Sequence, residues 1–357
     1  MPARSSDTKL SATPAIRSGV IWPSRIIVGV LTIAFAAGLS VPGWAQYLPF
    51  AASLVLFGLP HGAADHLVPS RLAGRTANVG GVLCVVLLYG LLSGLCLVLW
   101  FAAPAAAFVL FICVTVFHWG AGDLHALLFF GPDGLVGVGR TGRALLLLLR
   151  GGIPMLIPLL FFPDVYEDVA ADAAGLFGPN AVLSWAFDPS FRLGVGAALA
   201  VVALGLCICR VRGGARRRDI FLPVALETLL LVAFFSVVPP VLAVGLYFTL
   251  WHAPRHMARL VLLDPRASAD LRTGRPGRAL ARFAGDAAPL TALALALLAG
   301  LYVAVPRAAQ DPGSLLALYL VLVSALTLPH ASIVTYMDIR QGVWKKPGSP
   351  AGFGQGL

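Results

Sequence analysis

Long apolar segments, separated by short polar ones, run along most of the chain. Segments of about 20 apolar residues recur, and an α-helix of that length crosses a bilayer. Because lipid offers the backbone no hydrogen-bond partners, such segments form helices rather than open strands. The pattern therefore predicts an all-α protein, a polytopic integral membrane helical bundle of about ten transmembrane helices. The predicted spans lie near 25–42, 47–64, 80–100, 103–120, 144–162, 192–209, 220–238, 241–260, 287–305 and 314–334.

Composition agrees with this class, since 59% of the residues are hydrophobic and only 12% are charged, against about 25% charged in soluble domains. The spans divide the chain into an N-terminal tail, 1–23, a transmembrane domain, 24–338, and a C-terminal tail, 339–357. A cleaved signal peptide is an alternative interpretation of the first span, because Gly43 and Ala45 form a small-x-small pattern behind it. The second span follows almost at once, and we therefore favour a retained helix.

The basic residues follow the predicted topology. When the N-terminal tail is placed in the cytoplasm, 23 of the 26 Lys and Arg residues fall on the cytoplasmic side, in keeping with the positive-inside rule. Both termini are then cytoplasmic, which predicts a multi-pass protein of the cell's inner membrane, embedded in the lipid bilayer. Arg255 and Arg259 count here as loop residues, and Arg150 as a span residue whose guanidinium reaches the membrane surface. Topology thus accounts for the net charge of +10, and no nucleic-acid partner is expected.

Histidines occur at one depth of the predicted bundle. Six of the seven lie near the cytoplasmic ends of even-numbered spans: His61, His66, His118, His252, His256 and His330. Ionisable residues inside a membrane are costly and usually mark a pathway or a site, and imidazole is the commonest neutral metal ligand. A single histidine is more often a core residue bonded to a carbonyl, but six at one depth favour a metal site.

Local spacing supports this interpretation. His252 and His256 are four residues apart in WHAPRH, and would therefore project from one face of a helix. Imidazole ligands alone suit iron, copper, nickel or zinc, and the residues by themselves do not choose among these metals.

Three carboxylates lie close to the histidines in sequence or depth. Metal-bound histidines usually donate their second N–H to a carboxylate or carbonyl, so we expect Asp65 and Asp123 to accept hydrogen bonds from nearby histidines. An ordinary carboxylate at a helix end is the alternative for both. Glu227 lies midway along the seventh span, and we expect it to bond to a histidine or to stay protonated.

Four segments, GLPHGAADH, FHWGAGD, YFTLWHAPRH and LPHASIVTYMD, in this order and spacing, resemble the Brp/Blh family. The resemblance covers about residues 50–340, and the family consists of membrane enzymes that cleave β-carotene into two retinals. It implies a transmembrane catalytic domain that uses β-carotene and O2 as substrates and iron(II), Fe(2+), as cofactor. The implied ligands are His61, His118, His252 and His256. His330 matches a further family histidine whose role stays open, and His66 is a weaker candidate.

The substrate of this family is an apolar polyene, which an aromatic pocket could hold by packing. The aromatic residues nearest to the histidine segments are Phe57, Phe117, Trp119, Tyr247, Phe248 and Trp251. Each of them taken alone is more often a lipid-facing or core residue. The only lysines are Lys9, Lys345 and Lys346 in the tails, so no lysine lies in the bundle to hold retinal as a Schiff base. A rhodopsin that receives the retinal is a partner that the activity would allow.

Other membrane metalloproteins fit the pattern less well. Di-iron hydroxylases and desaturases use several HxxxH or HxxHH boxes, whereas this chain has one HxxxH. A haem-binding bundle uses two axial histidines and leaves the others unexplained. A metal or proton transporter would place polar groups through the thickness of the membrane, but the outer halves of these spans are almost purely apolar. We therefore favour a carotenoid cleavage oxygenase.

Overall fold

The computed structural model describes residues 13–131, 138–178, 183–211, 218–305 and 311–345. Residues 1–12 of the predicted N-terminal tail and 346–357 of the C-terminal tail therefore lie outside the described residues. The described part is helical and contains no β-strand, which confirms the all-α prediction.

The helices alternate with short connections from one end of the described chain to the other. Their bounds are α1 Pro14–Ala36, α2 Leu48–Leu56, α3 Gly58–Ala63, α4 Val68–Leu72, α5 Val79–Ala102, α6 Pro104–Phe129, α7 Arg140–Phe161, α8 Pro163–Gly175, α9 Pro189–Val211, α10 Arg218–Val237, α11 Pro240–Leu246, a π-helix Tyr247–His252, α12 Ala253–Leu263, α13 Pro265–Arg272, α14 Pro276–Ala304 and α15 Pro312–Gln341.

Eight helical segments of the described chain are long and apolar enough to cross a membrane, which confirms a polytopic helical protein. One predicted span differs from this pattern. The predicted span 241–260 is broken into α11, the π-helix and α12. Arg255 and Arg259 make α12 more polar than a lipid-facing helix, and both are buried inside the protein rather than placed in a loop.

The first span belongs to the bundle, since α1 packs along α10. Val28 of α1 is fully buried in the largest apolar core, together with Leu231 and Phe235 of α10. The helix also begins about ten residues earlier than the sequence pattern indicates, at Pro14.

Two glycines allow α6 and α7 to pack with their backbones almost in contact. A Cβ atom at Gly120 would collide with the carbonyl oxygen of Leu147, and one at Gly151 would collide with that of Val116. Only glycine fits at such positions. This contact fixes the rotation of α6 against α7, and therefore decides which side chains the two helices present to each other.

Near the histidines the chain leaves regular α-helix geometry twice. Phe57 interrupts the second span and separates α2 from α3, and a short 3₁₀ segment, Asp65–Leu67, follows α3. The π-helix Tyr247–His252 is the second irregularity. Irregular backbone at membrane depth is tolerated where it is buried in protein or lines a cavity, and π-helical turns are frequent at functional sites.

Candidate metal centre

Five histidines from five elements of the fold meet in one buried cluster: His61 of α3, His118 of α6, His252 at the end of the π-helix, His256 of α12 and His330 of α15. In eight of the ten pairs, the ring centroids lie between 4.6 Å (His118 to His330) and 6.5 Å (His118 to His256) apart. None of the five is more than 7% exposed. The structure therefore brings together the four histidines that the resemblance implied as ligands, and adds His330 to them.

Subsets of the nitrogen atoms in this cluster have the spacing of ligands to one metal ion. The Nε2 atoms of His118 and His252 are 3.0 Å apart, and two nitrogens bound to one ion at about 2.1 Å lie roughly 3 Å from each other when their bonds are near a right angle. Ligand atoms of His61, His118 and His330 lie within 4.8 Å of one another.

Several imidazole nitrogens of the cluster have no hydrogen-bond partner within the described structure. They are Nδ1 of His118, both ring nitrogens of His256 and Nε2 of His330. Buried polar atoms are almost always bonded, and burying one without a partner is costly. A shared cation would satisfy Nε2 of His330 and one ring nitrogen of His256 at once.

Two of the histidines are held in orientations that leave Nε2 free. The Nδ1 atom of His61 bonds to the carbonyl oxygen of Gly58. The Nδ1 atom of His330 bonds to Oδ2 of Asp65 at 2.6 Å, and the hydroxyl of Tyr89 donates to the same oxygen at 2.6 Å. Such contacts fix the tautomer of a metal-binding imidazole. Asp65 thus bonds to a histidine, and that histidine is His330.

Asp123 differs from the expectation that it would bond to His118. Its two carboxylate oxygens accept hydrogen bonds from Nε of Arg150 at 2.5 Å and from Nε1 of Trp251 at 2.9 Å. The physical reason is helical geometry, because residues five apart on an α-helix point in directions about 140° apart. Asp123 therefore faces away from the histidine cluster and anchors Trp251, the neighbour of His252.

Glu227 also differs from its expected partner, since it bonds to arginines rather than to a histidine. Nη2 of Arg150 donates to it at 3.0 Å, Arg25 forms a second ion pair, and Nη2 of Arg255 lies 3.9 Å away. Arg150 is fully buried, so its guanidinium does not reach the membrane surface. The two carboxylates hold it inside the bundle.

Sequence reasoning therefore missed a buried ion network beside the metal candidates. Arg255 lies on the Trp251 ring with its guanidinium carbon 3.7 Å from the centroid, and donates to the Trp251 carbonyl oxygen at 2.8 Å. Arg259 bonds to Asp338 and Gln341, each at 2.8 Å. The sequence WHAPRHMAR could have indicated this network. In it, Arg255 and Arg259 are four residues apart, as are His252 and His256.

The two remaining histidines lie outside the five-histidine cluster. His66 is half-buried, and its Nδ1 bonds to the carbonyl oxygen of Ala63 at 2.9 Å. His125 is buried and stacks on Phe129, with ring centroids 4.5 Å apart.

An apolar cavity of about 320 Å³ opens onto His61, His118 and His330, a volume within the usual range for small-molecule sites. Of the six aromatic residues proposed from the sequence, Trp119 and Phe248 line this cavity. The other four lie elsewhere: Tyr247 and Trp251 are fully buried in the core behind it, Phe57 packs against a second core cluster, and Phe117 is 41% exposed on the outer surface. Aromatic side chains that the sequence did not single out complete the lining: Phe50, Tyr89, Phe108, Phe111 and Tyr166.

The sequence is similar to a family of known proteins. The family described as beta-carotene 15,15'-dioxygenase matches residues 52–338. The chain is 42% identical over 336 residues to the probable beta-carotene 15,15'-dioxygenase Blh of Halobacterium salinarum, covering 93% of this chain and 94% of that protein. It is 33% identical over 348 residues to the probable beta-carotene 15,15'-dioxygenase Brp of the same species, covering 91% and 93%. No solved structure matches. These matches confirm the resemblance carried by the four histidine segments.

Proposed function

Because the chain belongs to the beta-carotene 15,15'-dioxygenase family, we propose that it is a membrane-embedded non-haem iron enzyme that cleaves the central 15,15' double bond of β-carotene. Cleavage with O2 gives two molecules of all-trans-retinal, one oxygen atom entering each aldehyde, so the reaction needs no further reductant. The protein would lie in the inner membrane, where its apolar substrate dissolves, and a rhodopsin would be a suitable acceptor for the product.

The observation that carries this proposal is that His61, His118 and His330 of the five-histidine cluster line the apolar cavity. A neutral donor set of imidazoles suits a divalent transition metal. The proposed ligands are His61, His118, His252, His256 and His330. When bound there, iron(II) supplies the activation of dioxygen next to the polyene.

The protein groups around the cluster have two tasks. The Gly58 carbonyl and Asp65 hold Nδ1 of His61 and His330, so that each Nε2 lone pair points to the site. Trp119 and Phe248 form the cavity wall beside the ligands, with ring centroids 5.6 Å from His252 and 5.5 Å from His61 respectively. Flat aromatic walls hold an extended polyene by packing and keep water away from the reacting atoms.

Expression in bacteria that accumulate β-carotene tests the reaction. Loss of colour with formation of retinal supports the proposal, and unchanged pigment at good expression of membrane-inserted protein contradicts it.

The ligand set is tested by iron analysis of the purified full-length protein. His252→Ala is expected to remove both bound iron and activity while leaving the amount of protein in the membrane unchanged. His66→Ala is the matched control for iron, because Nδ1 of His66 bonds to the Ala63 carbonyl outside the cluster, and it should keep the bound iron. Full iron in His252→Ala would refute the assignment of this ligand.

A further inference from the structure

The wall of the apolar cavity between α5 and α14 contains few backbone contacts. The backbones of these two helices scarcely approach each other, although α5 packs along α15 and α14 packs along α3. Both helices are largely exposed on the outside of the bundle. The backbones of α5 and α14 therefore do not close the space between the two helices.

Several residues of this wall face the cavity and the outer surface at the same time. On α5, Val86 is 38% exposed and Gly90 is exposed. On α14, Leu293 is 50% exposed and Leu297 is 48% exposed. All four line the cavity. Residues that are shared by a cavity and the outer surface mark a place where the two communicate, and the four residues of this wall are all apolar.

If the proposed function is correct, the substrate is longer than the cavity and must extend out of it. Along α6 the lining runs from His118 back to Phe108, about 15 Å, and along α15 from His330 back to Leu316, about 21 Å. β-Carotene is about as long as the hydrocarbon core of a bilayer is thick, roughly 30 Å. The cavity therefore holds one half of the molecule, with the histidines near its end, but not the whole of it.

Cleavage at the centre requires the second half to continue past the histidines. The gap between α5 and α14 lies beside them, since Tyr89, one residue before Gly90, bonds to the same Asp65 oxygen as His330. We propose that this gap is a lateral opening through which an extended polyene enters from the bilayer. One half of the polyene lies in the cavity during the reaction and the other half projects through the gap into lipid. This inference rests on the proposed function.

Gly90 keeps the opening wide. A Cβ atom built there meets no heavy atom within 4 Å, and the same holds for Gly94, one turn further along α5. Gly94 does not line the cavity. A phenylalanine at 90 would therefore fill the gap without a clash inside the protein, whereas a phenylalanine at 94 places the same bulk on the same helix outside it.

The test uses the full-length protein in phosphatidylcholine vesicles that contain β-carotene. Carotenoid retained after extraction and purification without oxygen is measured by its visible absorption, retinal formation is measured after oxygen is admitted, and iron is measured in parallel. Gly90→Phe, and Leu293→Trp from the opposite wall, are expected to lower carotenoid retention and kcat/KM for β-carotene about tenfold. The reason is that the larger side chain occupies the space in the gap that the polyene needs. Their iron content should equal that of the wild type. Gly94→Phe should stay within about twofold of the wild type in all three measurements.

Two results would overturn the lateral opening while leaving the proposed function intact. One is retention and turnover of β-carotene at the wild-type level in both Gly90→Phe and Leu293→Trp. The other is an equal loss in Gly94→Phe, since the effect would then not depend on the gap. If the wild-type protein itself retains no β-carotene and forms no retinal, the proposed function fails, and with it an opening for this substrate.

Discussion

Removal of the Arg150 guanidinium should strongly destabilise the bundle. Arg150 is fully buried and donates to Asp123 at 2.5 Å, to Glu227 at 3.0 Å and to Thr228 at 3.2 Å. Breaking a buried ion pair by removing one partner typically costs about 3–5 kcal/mol, because a charge is left buried without compensation. We expect Arg150→Met, which keeps most of the volume and the apolar stem, to lower the free energy of unfolding by about that amount.

The structure also identifies which carboxylate would be left uncompensated. Glu227 keeps its direct ion pair with Arg25, whereas Asp123 loses its direct ion pair with Arg150 and keeps the hydrogen bond from the Trp251 N–H. The guanidinium of Arg255 attracts both carboxylates and therefore does not distinguish them. Adding Asp123→Asn to Arg150→Met should therefore recover roughly 2 kcal/mol, because the amide is neutral and its oxygen still accepts from Trp251. Adding Glu227→Gln instead should recover nothing, since it removes the partner of Arg25.

Unfolding in mixed micelles, with the helical content followed against the fraction of denaturing detergent, measures these differences. The single variant and the two double variants are compared with the wild type under one set of conditions, with the iron content held equal. A stability of Arg150→Met within about 1 kcal/mol of the wild type would refute the reasoning. Equal recovery by Asp123→Asn and by Glu227→Gln would refute the assignment of the uncompensated charge.

Three further substitutions have defined outcomes. His330→Ala should remove the bound iron while His66→Ala keeps it, and elemental analysis that finds full iron in His330→Ala would exclude His330 as a ligand. Asp65→Asn should weaken iron binding about 10–100-fold, because the His330 tautomer is no longer fixed; competition with a chelator measures this, and unchanged affinity would contradict it. Gly151→Ala should cost about 1–3 kcal/mol by forcing a methyl group against a carbonyl oxygen of α6. Gly94→Ala, which meets open space, is its control, and equal unfolding curves for the two would disprove a close α6–α7 contact.

The helical class and the histidine layer could be predicted from the sequence because both depend on one-dimensional information. The length of an apolar segment decides whether it can cross a bilayer, and that length is read directly from the chain. The position of a histidine within its span gives its depth, so His61, His118 and His330 could be placed at one level before any helix was packed. The predicted span 241–260 is not a single transmembrane helix. It contains the buried residues Arg255 and Arg259, which a count based on apolar length does not consider.

The partners of the buried carboxylates were decided by tertiary structure alone. Spacing along one helix gives the angle between two side chains of that helix, but not what a neighbouring helix presents to them. Asp123 meets Arg150 because α6 and α7 are locked together at Gly120 and Gly151, and Glu227 meets Arg25 across 202 residues of chain.

The gap between α5 and α14 is also decided by tertiary structure alone. It exists because each of the two helices packs on other neighbours and scarcely on the other, a relation that no local pattern of residues records. The sequence by itself thus determined the helices, the depth of the histidines and the family. The packing of helices far apart in the chain decided which charges compensate each other and where the cavity meets the surface.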